Sequence, residues 1–125
     1  MSVRAITLSI LALFLANLPG ITPSVAAPHF AGHWVDRENT GIKMNIREDG
    51  GIFRVTVGDE AYGYALSCLV KNKKAVCTGS GGRLEGENFL YQSVFEFTKD
   101  GTMSEHWKAF NNLQTINGKT IWKHQ

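Results

Sequence analysis

From Ile42 onward, hydrophobic and polar residues alternate with a period of two. Ile42, Met44 and Ile46 interleave with Lys43, Asn45 and Arg47. After Glu48-Asp49-Gly50-Gly51 the alternation resumes, Phe53, Val55 and Val57 against Arg54 and Thr56. Two such runs around a glycine-containing turn predict a hairpin. His33-Trp34-Val35 precedes it as a first strand. Gly58-Asp59 turns the chain again, and Tyr62, Tyr64, Leu66 and Cys68 then share one face of the next run. Ala75-Val76-Cys77 is its partner, and Thr78-Gly79-Ser80-Gly81-Gly82 reads as a flexible loop. Phe89, Tyr91, Ser93, Phe95 and Phe97 form another alternating face, ended by Asp100-Gly101. Met103, Glu105 and Trp107 follow, against Ser104, His106 and Lys108. Asn111-Asn112 turns, Leu113 to Ile116 is a short strand, Asn117-Gly118 turns again, and Thr120 to Lys123 is the last run.

No stretch carries a helical period over three turns. Parallel strands need crossovers of about a dozen residues or more, and the chain has no room for them. The expected fold is all-β, an antiparallel meander of about eight strands. A meander removes its edges best by closing, so a small barrel is expected, with a two-sheet β-sandwich as the alternative. Most residues on the inward faces are large, so any interior cavity should be small.

The chain start has a different pattern. Arg4 precedes an apolar run from Ile6 to Leu18, and Ser24-Val25-Ala26-Ala27 offers small residues for cleavage. This reads as a secretory signal over 1–26, followed by one domain over 27–125. The run is roughly 13 residues, short of the about 20 that span a bilayer, so no anchor is expected after cleavage. The expected location is periplasmic or secreted. In such a compartment Cys68 and Cys77, the only cysteines, should form a disulfide. With the turn at Asn72-Lys73, Cys68 falls directly opposite Cys77. Redox catalysis would call for Cys-x-x-Cys at a helix start, and neither feature is present.

Formal charge is +2, or +1 once Arg4 is subtracted, and only Lys71, Lys73 and Lys74 cluster. That gives nucleic-acid binding no electrostatic footprint. His29, His33, His106 and His124 show no metal-ligand spacing; a site joining His33 and His106 lacks any supporting motif, and no metal or other cofactor is expected. Glu105-His106 with Glu85 or Glu87 lacks a nucleophile motif, so no catalytic set is assigned. Gly79-Ser80-Gly81-Gly82-Arg83 lacks the Lys-Ser/Thr ending of a phosphate loop; its sharper reading is a contact loop, with Ser80 and Arg83 meeting a partner. The aromatics are mainly core, with Tyr62, Tyr64 and Trp107 as candidates to line a small site at the barrel mouth.

Gly32-His33-Trp34 resembles the Gly-x-Trp that opens the first strand of lipocalin-like (calycin) barrels, including short bacterial metalloprotease inhibitors. The resemblance implies a structural role for Gly32 and Trp34, the indole plugging the closed end. Ser80-Gly81-Gly82-Arg83-Leu84 resembles the Ser-Gly-x-Arg-Tyr loop of periplasmic inhibitors of animal-type lysozyme, with Leu84 in place of Tyr. The expectation is an exported, monomeric, non-enzymatic binding protein. Its partner is a small apolar or amphipathic ligand at the barrel mouth, or a protein such as a hydrolase inhibited through Gly79–Arg83.

Overall fold

A computed structural model describes residues 29–125. The expected signal segment and its cleavage point at Ala26 lie outside the described residues. Eight strands follow in chain order: β1 (Gly32–Asp36), β2 (Lys43–Asp49), β3 (Ile52–Gly58), β4 (Tyr62–Lys71), β5 (Lys74–Arg83), β6 (Asn88–Phe97), β7 (Met103–Phe110) and β8 (Thr115–His124). Each pairs antiparallel with the next, and β8 returns to pair with β1, Val35 opposite Lys123. The meander therefore closes into a barrel rather than splitting into a sandwich, and among the described residues no strand is left with an open edge.

The β4–β5 hairpin takes the register its apolar runs dictate. Asn72 and Lys73 both have positive φ, 55° and 68°, as a two-residue type I′ turn requires. Counting outward, Cys68 faces Cys77, their Cα atoms are 4.1 Å apart, and the two are disulfide-bonded.

Two expectations about glycine are corrected. Thr78–Gly82 is not a flexible loop: β5 runs unbroken to Arg83, paired on both sides. Its inward glycines make room for neighbours. Gly81 lies opposite Tyr64 on β4, and Gly79 lies opposite Tyr91 on β6. Across this bare stretch the Tyr64 and Tyr91 rings stack, centroids 4.3 Å apart and 9° from parallel. A Cβ on Gly81 would collide with Tyr64 and with the Gly63 carbonyl. Glycine within a strand here marks close approach, not mobility. Likewise Asn117-Gly118 is not a turn but lies inside β8, with Gly118 opposite Trp107. The Trp107 indole occupies the space a side chain would need, its Cζ2 only 2.7 Å from where a Cβ would stand.

The end of the barrel bounded by the β2–β3, β4–β5 and β6–β7 turns is closed. Phe30, just before β1, folds beneath it and packs on Phe53 and Phe97 at 5.8 and 5.0 Å between ring centroids. Trp34 is wholly buried; its Nε1–H donates to the Phe30 carbonyl at 3.0 Å, and its ring stacks on His124 at 3.8 Å. Gly32 has φ +133°, which lets the chain turn from Phe30 upward into β1. Gly32 and Trp34 thus both lie at the closed end of the barrel. Fully burying large side chains such as Phe30 and Trp34 stabilises this end by about 1.5–3 kcal/mol apiece.

Candidate ligand-binding cavity

Alternation aims Tyr62, Tyr64, Tyr91 and Trp107 into the barrel, but among the described residues nothing further plugs the space above Trp34 and the phenylalanines. The opposite end opens on a cavity of about 340 Å³. Tyr64 and Trp122, both bonded to Glu105, form the floor, and Tyr62, Phe89, Tyr91 and Trp107 complete the aromatic wall. Asp36, Arg83, Glu87 and Gln114 stand at the strand ends and turns that form the rim. The volume is at the low end of small-molecule sites, about 300–1,000 Å³. It matches the small interior expected from large inward residues.

The three residues expected to line a ligand site, Tyr62, Tyr64 and Trp107, meet in this one cavity. The two expected to meet a partner are separated. Ser80 is exposed in the middle of β5, whereas Arg83 ends the strand at the cavity rim. The connection that follows is Leu84–Glu87, and Leu84 is largely exposed.

Beneath the cavity lies a residue to which the sequence pattern assigned no role. Glu105 has no exposed surface. Tyr64 Oη–H donates to the carboxylate at 3.0 Å to Oε1 and 3.2 Å to Oε2. Ser93 Oγ–H donates to Oε2 at 2.7 Å, and Trp122 Nε1–H donates to Oε1 at 3.0 Å. Burial pushes the Glu105 carboxyl above its ordinary range, while these three hydrogen bonds hold it down; burial prevails. Burial and the neighbouring carboxylate also raise the Tyr64 phenol, which stays protonated and donating. Burial raises Tyr62 and Tyr91 too. The signal for Glu105 was present in the alternation, since it falls between inward Met103 and Trp107.

His106 points to the outside, on the opposite face from Glu105, so the two do not form one acid–base pair. Among the described residues no group of three or more His, Cys, Asp or Glu is gathered as a metal site. The Trp107 indole N–H is also engaged, donating to Thr120 Oγ1 at 3.2 Å. The cavity floor and one wall therefore turn aromatic surface inward while their donors are satisfied elsewhere.

Comparison of the chain with protein-family models, curated proteins and solved structures gives no significant match.

Proposed function

We propose that this is an exported, non-enzymatic binding protein that holds one small apolar or amphipathic molecule in the open end of its barrel. The observation that carries this reading is the asymmetry of the interior. One end is filled by Phe30, Trp34, Phe53 and Phe97, and the other is an open aromatic cavity of about 340 Å³. At about 30 Å³ for each water, the cavity has the space of roughly eleven waters, which suits a ligand of similar heavy-atom count. Tyr62, Tyr64 and Trp107 are the contact residues. Export is supported by the signal-type pattern over 1–26 and by the Cys68–Cys77 disulfide, which persists in oxidising compartments. The closed end with Gly32 and Trp34 supports a lipocalin-like assignment. Gly79–Arg83 lies in a strand paired on both sides and is not the projecting loop that the hydrolase-inhibitor reading uses, so the cavity is the favoured site.

Native mass spectrometry of protein purified gently from its source should show an added small-molecule mass. The double variant Tyr62→Ala, Trp107→Ala should lose it. A bare polypeptide mass, together with no response to small aromatic probes at millimolar concentration, would contradict the proposal.

A further inference from the structure

The cavity's charge and hydrogen-bonding supply are lopsided. We infer that its ligand is an amphipathic organic cation, a small apolar body carrying an ammonium group. This rests on the cavity being a binding site and names the class of molecule it takes.

Three observations converge on it. The first is donor supply. Tyr64 Oη–H and Trp122 Nε1–H are committed to Glu105, and Trp107 Nε1–H to Thr120. An anionic headgroup lowered to the floor would find those donors occupied. The second is the lining. Six aromatic rings, Tyr62, Tyr64, Phe89, Tyr91, Trp107 and Trp122, surround the space. Ring faces carry the negative side of the aromatic quadrupole and attract ammonium groups. The third is the mouth. Its connections, together with the rim residues Asp36 and Arg83, hold six carboxylates: Asp36, Glu38, Asp59, Glu60, Glu85 and Glu87. Only Arg37 and Arg83 oppose them there. Lys43, at the start of β2, is exposed on the face opposite the inward Met44. Among the described residues the ion pairs are Arg54–Asp49 and Lys74–Glu96, neither of them at the mouth. Asp36 and Glu87 thus face the cavity without a cationic partner. A mouth of one sign concentrates ligands of the other.

In this arrangement the apolar body rests on the Tyr64 and Trp122 floor, and the ammonium stays at the rim beside Asp36 and Glu87. Arg83 is the cationic side chain that lines the cavity and the feature an anionic ligand would use, so the test sets the two charges against each other.

Three probes of matched shape separate the possibilities: 2-phenylethylamine, 2-phenylethanol and 3-phenylpropionate, each titrated into the intact protein at pH 7 and low salt. Calorimetry should show the amine binding about tenfold tighter than the alcohol, the size of a partly desolvated cation–π and carboxylate contact. The carboxylate should bind weakest. Asp36→Asn with Glu87→Gln should shrink the ratio of amine to alcohol affinity toward unity, and added salt should shrink it in the unaltered protein. If alcohol or carboxylate equals or exceeds the amine, the cation inference is overturned while the cavity remains a binding site. If none of the three binds, the binding-site reading itself fails with it.

Discussion

Three donors converge on the Glu105 carboxylate while burial works against its charge, and the balance leaves its proton held more tightly than in the unfolded chain. The unfolded chain releases that proton near pH 4.5, the folded one at higher pH. Between those values the folded state binds more protons, so stability is complete below about pH 4.5 and falls as pH rises through the folded value. Glu105→Gln should remove this fall, with the amide oxygen accepting from Trp122 and Tyr64 and the amide nitrogen donating to Ser93. Thermal melts across pH 4–8 should show a slope in the parent and a flatter profile in the variant; identical profiles would show that Glu105 does not titrate in this range. Glu105→Leu, which strands three donors, should cost about 2–4 kcal/mol by denaturant unfolding. Asp100 behaves in the opposite sense. The hydroxyls of Thr98 and Thr102 hold its carboxyl down to about 2, so its contribution is present above pH 3.8 and lost as pH falls toward 2. Asp100 was legible as a turn residue because its partners are two residues away. The role of Glu105 was not legible because its donors lie 12, 17 and 41 residues away, Ser93 and Trp122 on the strands paired with β7 and Tyr64 on β4, which does not pair with β7.

At the scale of elements, the β4–β5 hairpin was legible in full. Its turn, register and disulfide all follow from counting outward from Asn72-Lys73. Closing a ring this short should contribute about 2.5–3 kcal/mol by chain entropy. Reduction should therefore lower the melting temperature by roughly 10–20 °C for a domain of this size, with the β-type circular dichroism retained. Labelling of either cysteine without reductant would contradict the pairing. The strands rich in glycine were not legible. Thr78–Gly82 and Asn117-Gly118 carry turn-forming residues, yet both lie within strands, because glycine accommodates Tyr64 and Tyr91 in one case and the Trp107 indole in the other. A local pattern does not distinguish glycine that bends a chain from glycine that clears space for a ring on the next strand. Gly81→Ala should destabilise by about 1–3 kcal/mol, since Tyr64 and the Gly63 backbone must shift. Unchanged stability would mean that the two strands lie further apart than described.

Residues 29–125 form a closed cylinder with unlike ends. The strand count, the antiparallel meander and the presence of a small interior were all legible, because period-two alternation without crossovers admits few other solutions. Which end is filled was not legible from the alternation, since Phe53, Phe97, Tyr62 and Trp107 are all large inward aromatics. The difference lies in Phe30 and Trp34, which cap one end, while at the other the described residues supply only the strand connections. The three tryptophans report on this asymmetry separately: Trp34 in the plug, Trp107 and Trp122 at the cavity. The most direct measurement is an NMR titration of their indole N–H signals with 2-phenylethanol, whose neutrality leaves the question of ligand charge aside. The Trp107 and Trp122 signals should shift and saturate together while the Trp34 signal stays in place. Three stationary signals, or a Trp34 shift as large as the other two, would contradict a ligand cavity at the open end of the barrel.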